Sequence, residues 1–172
     1  MDVASDSVKS RLMAQLYSDS QRGSVFNLLI SLYLYVFLTM TMDDATGLLS
    51  WFCAIAMCNV LRFFLARTIT RNGADEENRL FFPFFLLLLM ITGIISSLIY
   101  VVYYQDLTAF QRGFILLTLF GGASLSIISL STSYLAFYSF SLPLCMPVLL
   151  VNSYQASVEH LFFNGGLFIY FL

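Results

Sequence analysis

Charge is what this sequence has least of. Asp, Glu, Lys and Arg together make up 10% of it, against about 25% in a soluble domain, which excludes an ordinary water-facing surface. From Gly113 through Val158 there is no charged residue at all. A bilayer core is crossed by roughly 20 apolar residues in a helix, so that run is long enough for two crossings. It also holds its own turning point, the polar string Ser129, Ser131, Thr132 and Ser133. Basic clusters are missing too, and the net charge of -2 gives no footing for nucleic acid. The three cysteines, Cys53, Cys58 and Cys145, lie in apolar runs without metal-type spacing and read as buried reduced thiols. A cleavable secretory leader is not expected, because residues 1–22 are mostly polar and the first apolar run is long.

What is present is apolar: 59% hydrophobic and 17% aromatic residues, with a mean hydropathy of +0.84. The pattern predicts an all-α polytopic transmembrane bundle of about six helices, in contact with the lipid bilayer. Residues 1–23 read as a lead-in. In it, Val8, Leu12, Met13, Leu16 and Tyr17 fall at helical spacing and suggest a short amphipathic helix on the membrane surface, with a frayed tail as the alternative. The transmembrane region is then 24–172. Its expected helices run about Ser24–Met42, Thr46–Ala66, Leu80–Tyr104, Phe110–Ile128 and Tyr134–Val151, with a sixth from near Gln155. Pro83 falls in the first turn of the third, where a missing N–H costs little. Trp51 and the cluster Tyr100, Tyr103 and Tyr104 suit interfacial aromatic belts.

Seven of the eight basic residues (Lys9, Arg11, Arg22, Arg62, Arg67, Arg71 and Arg79) fall on one side of this arrangement. The positive-inside rule makes that side cytoplasmic, and six helices would put both termini there. The acidic Asp75, Glu76 and Glu77 of the same side carry little weight in that rule. Only twelve uncharged residues, Leu161 to Leu172, follow Glu159 and His160. That is short for a crossing, and the chain is expected to be the membrane portion of something longer.

No charge falls at the predicted middle of a helix, where transport and proton relays usually put one. Arg62 and Arg67 are close enough to the cytoplasmic surface to snorkel as anchors. Glu159 and His160 could form a pH-sensitive pair at the outer mouth of helix six, although a lone His beside an interface is more often incidental.

Uncharged polar and small residues inside the spans carry more information. Asn27, Asn59, Ser96 and Ser97 lie in the first three, and Gly121, Gly122, Ser124 and Ser126 give the fourth a small-residue surface. Helix packing alone accounts for such residues. A functional reading makes them, with Trp51 and other aromatic walls, the lining of a pocket for a small lipophilic ligand. Pro143 and Pro147 free carbonyls on the preceding turn and mark a candidate hinge in the fifth helix. The sequence shows no catalytic constellation, no metal-ligand set and no cofactor motif. The pairs Gly121-Gly122 and Gly165-Gly166 sit in apolar helices and are not phosphate loops.

The order of these signals resembles the N-terminal, MASE-like membrane input regions of bacterial signalling proteins. Those regions precede histidine kinase (two-component) or diguanylate cyclase and phosphodiesterase output domains. The residues that carry the resemblance are the lead-in RLMAQLYSDSQRGSVFNLL (Arg11 to Leu29), in which Leu16-Tyr17 precedes a helix bearing Asn27. With it go Trp51, the exit LRFFLAR (Leu61 to Arg67), and GGASLSIISLSTSYLAFYSFSLPLCMP (Gly121 to Pro147). It spans roughly residues 10–172. The sequence departs from the pattern at Asp19-Ser20, where family members often carry a proline, and in having no output domain after Leu172. The resemblance implies six helices, cytoplasmic termini, a bacterial inner-membrane location and homodimerisation through the output domains. It names no ligand. Readings from other classes are a small transporter or channel subunit and a membrane scaffold.

Overall fold

The computed structural model of the chain describes residues 2–42, 46–72, 81–130 and 132–154. They form five helices and nothing else regular: α1 (Asp2–Thr41), α2 (Leu48–Asn72), α3 (Phe81–Tyr103), α4 (Ala109–Leu130) and α5 (Tyr134–Tyr154). Each is long and apolar enough to cross a membrane, which marks a multi-pass membrane protein. The expected sixth helix, with Glu159 and His160, falls outside the described residues.

The helix ends follow local chemistry. Gly47, at a φ of 89°, turns the chain into α2, a backbone position that suits glycine. Its carbonyl then accepts from the Trp51 N–H at 3.0 Å. At the start of α4, Thr108 and Gln111 form a reciprocal capping box. The Thr108 N–H donates to Gln111 Oε1 (2.8 Å) and the Gln111 N–H to Thr108 Oγ1 (3.3 Å). The serine string ends α4 as expected, and the Ser133 carbonyl accepts from the Phe137 N–H at 3.0 Å to open α5.

One expectation is corrected. The lead-in is not a separate surface helix, because α1 runs unbroken for 40 residues from Asp2 through the first span. Nothing in the stretch from Ser18 to Gly23 stops a helix: there is no proline, and Ser24 bonds back onto the Ser20 carbonyl.

The helices pack as a ring in the order α1, α2, α3, α5, α4 and back to α1, with a lesser contact between α3 and α4. Its interior has two apolar clusters. One gathers Leu16, Tyr17, Ala66, Phe85 and Phe140. The other gathers Leu34, Leu38, Trp51, Ile55 and Tyr100. Between them along α1 and α2 lies a buried polar layer: Ser20, Ser24, Ser31, Asn59 and Arg62. The outer face is the reverse, with Phe26 56% and Tyr33 60% exposed. Polar inside and apolar outside is the arrangement of a bundle whose solvent is lipid.

Candidate functional site: a polar cavity between α1, α2 and α4

The polar layer begins with spacing. Ser20, Ser24, Asn27 and Ser31 recur every three or four residues, so they share one face of α1. The facing strip of α2 is Asn59 and Arg62, three residues apart. The two strips are joined by the Arg62 Nε–H, which donates to Ser24 Oγ at 2.8 Å, and by Asn27 Nδ2, which donates to Asn59 Oδ1 at 3.3 Å. The Ser24 hydroxyl proton goes to the Ser20 carbonyl at 2.8 Å, leaving a lone pair toward the guanidinium. Asn59 Nδ2 donates to the Ile55 carbonyl at 2.9 Å, so both ends of that amide are engaged.

Arg62 is therefore not a snorkelling anchor. It is 4% exposed and turns into the bundle, because Ser24 offers an acceptor on the facing helix. Among the described residues no carboxylate pairs with it. Arg67, one and a half turns on, is exposed.

These strips border a cavity of about 230 Å³. Its walls include Asp19, Ser20, Arg22, Gly23 and Asn27 of α1, Arg62 of α2, and Gly122, Ser126 and Ser129 of α4. The α1 and α4 walls meet at Gly23, where an added Cβ would lie 3.1 Å from Ser129 Oγ. At Gly122, by contrast, an added Cβ would meet nothing within 4 Å. A second void of about 20 Å³ adjoins the first through Asn27, Ile30, Gly122 and Phe140, and reaches Trp51 and Ser96.

The expected pocket residues therefore divide. Asn27 and Gly122 line the large cavity, while Trp51 and Ser96 line only the small one. Trp51 turns inward, and its indole N–H donates to the Ile95 carbonyl at 2.7 Å. Asn59 touches the site through Asn27. Ser97 bonds the Ile94 carbonyl of its own helix at 2.8 Å and lines neither space. Gly121 and Ser124 are exposed and line neither, since they lie on the opposite side of α4 from Ser126. Pro143 and Pro147 sit within a helix that continues through both, and the Pro143 ring lies beside Gly93 of α3.

Sequence reasoning missed Ser20, Ser24 and the inward Arg62. The signal was present in the three-to-four spacing of small polar residues on α1, opposite the apolar Phe26, Leu29 and Tyr33. Starting the first span at Ser24 cut that strip in two.

Chemically, the site is rich in hydrogen-bond donors. Among the described residues no group of three or more His, Cys, Asp or Glu side chains is placed to hold a metal ion. No known protein family, curated protein or solved structure matches this chain.

Proposed function

We propose that this chain is the membrane-embedded sensory input region of a bacterial inner-membrane signalling protein. A ligand or lipid-phase stimulus acts on the bundle, and the response passes through the sixth helix to a cytoplasmic kinase or cyclic-dinucleotide output domain, in a homodimer. The observation that carries this reading is the shared wall of the cavity. Asp19, Ser20, Arg22, Gly23, Phe26 and Asn27, which form that wall, belong to the same uninterrupted helix that extends back to Asp2. From Gly23 to Asp2 that helix reaches about 32 Å at 1.5 Å per residue. A change in what fills the cavity therefore acts directly on α1, which continues unbroken toward the arginine-rich side, and reaches the sixth helix through the packing of the bundle. Signalling needs two packings of the bundle a few kcal/mol apart, biased by the stimulus.

The size of the native protein tests this. An antibody against residues 1–22 should detect a band well above the 19.5 kDa of this chain, reporting an attached output domain. A band at 19.5 kDa would move the second reading ahead, a small transporter or channel subunit. Arg62 favours that alternative, because buried charge in a span often marks a solute path. Liposome flux would then decide it.

A further inference from the structure

We propose that the cavity binds a small monoanion, an oxyanion group carried on a compact apolar body, with Arg62 as its counter-charge. A guanidinium has five N–H donors in a planar fork, and the bond to Ser24 uses only Nε–H. The remaining donors belong to a buried cation that lines the cavity and has no carboxylate partner among the described residues. Buried charge of this kind calls for a partner of opposite sign. Ser20 is a second unpartnered donor among the residues that border the cavity. It is 1% exposed, and its hydroxyl has no hydrogen-bond partner. Both groups match a carboxylate or phosphate oxygen, which only accepts.

The charge and size of the ligand follow from the rest of the lining. Its charged residues are Asp19, Arg22 and Arg62, a net of +1, so one negative charge is balanced and a second is not. The remaining wall is chiefly apolar, with Phe26, Ile30, Leu125 and Phe140 among its side chains. A cavity of about 150 Å³ takes a benzene ring, so this space of about 230 Å³ takes roughly ten non-hydrogen atoms on the same scale. A soluble aromatic or short-chain carboxylate fits that description. So does the phosphate end of an anionic lipid, since Phe26 and Leu125 are exposed on the outside of the bundle. The inference rests on the cavity being a ligand site, as the sensory reading has it, and gives that ligand a class.

The test uses the purified chain in phosphatidylcholine nanodiscs. Phenylacetate is the probe, with phenylacetamide as its neutral counterpart. Trp51, the single tryptophan, borders the adjoining void and reports by its emission, alongside the unfolding temperature. Phenylacetate should raise Tm and shift the emission, and phenylacetamide should do neither. Arg62→Met should weaken binding at least tenfold by removing the charge. Gly122→Leu should do so by filling the space with Arg62 in place, which keeps the test alive if Arg62→Met does not fold. Phosphatidylglycerol discs separate the sources. A Tm raised in wild type but not in Arg62→Met, with the phenylacetate effect lost, identifies a lipid headgroup; a retained phenylacetate effect identifies a soluble acid.

The proposal is overturned if neither phenylacetate nor phosphatidylglycerol moves the wild type. It is equally overturned if they move wild type and Gly122→Leu alike. Phenylacetate binding that leaves the output of the native signalling protein unchanged would remove the sensory reading and keep the anion site. Output that responds to another stimulus without anion binding would do the reverse.

Discussion

Gly93 of α3 lies so close to α5 that a Cβ there would stand 2.5 Å from the Phe140 carbonyl oxygen and 3.2 Å from the Leu144 nitrogen. Both are backbone atoms and cannot swing away. The α3–α5 contact is the most extensive in the bundle, and it depends on this approach. Small residues allow such proximity where no hydrophobic drive between helices exists.

Gly93→Ala is expected to destabilise the protein by about 1–3 kcal/mol, the usual cost of overpacking. Gly122→Ala faces open space and should instead be neutral or stabilising by up to about 1 kcal/mol, from helix propensity. Thermal unfolding in detergent compares the two. Equal losses at both positions would show that the close approach at Gly93 is not what matters.

Tyr100 and Asn152 tie α3 to α5 near their other ends, the phenol O–H donating to Asn152 Oδ1 at 2.7 Å. Both are fully buried, and Asn152 Nδ2 has no partner. Interhelical hydrogen bonds in membranes contribute about 0.6 kcal/mol on average and at most about 1.7. Tyr100→Phe should therefore cost about 1 kcal/mol. The double variant Tyr100→Phe/Asn152→Leu should recover most of it, since both polar groups leave together. A double-mutant cycle checks this, and strict additivity would show that the two residues are not coupled.

The contact of α1 with α4 makes a covalent prediction. A Cβ at Gly23 would lie 3.3 Å from the Ser129 Cβ, close to the 3.5–4.5 Å (about 3.8 Å on average) that a disulfide spans. In a background lacking Cys53, Cys58 and Cys145, Gly23→Cys with Ser129→Cys should oxidise readily. Gly23→Cys with Gly121→Cys should not, because Gly121 has nothing within 4 Å. A protease site placed between residues 73 and 80 reads the outcome, as fragments that separate only on reduction. Equal crosslinking of both pairs would contradict the face of α4 that packs on α1.

Trp51 offers a measurement that needs no substitution. It is 9% exposed, with its indole N–H bonded to the Ile95 carbonyl, so its emission should be protected from aqueous acrylamide. Quenching as strong as that of a free indole would return Trp51 to the interfacial belt.

Much of the fold was legible because membrane burial writes itself as length and absence. The charge-free run from Gly113 to Val158 already fixed α4 and α5, and the serine string fixed the turn between them to within about a residue or two. The pocket was legible only in part. Asn27 and Gly122 stood out as polar or small residues in apolar surroundings, but so did Ser97, Gly121 and Ser124, which line neither cavity.

The sequence by itself determined that these helices belong in a bilayer, because runs of about 20 residues with almost no charge have no stable place in water. It also determined which residues share a helix face, because the helical period is a property of the backbone. Only the tertiary structure decided which way a long side chain turns. Arg62 sits five residues before Arg67, near enough to the arginine-rich end to reach outward. The flexible stem of an arginine allows either direction. The Ser24 hydroxyl, brought opposite by the packing of α1 on α2, turns Arg62 inward and gives the cavity its charge.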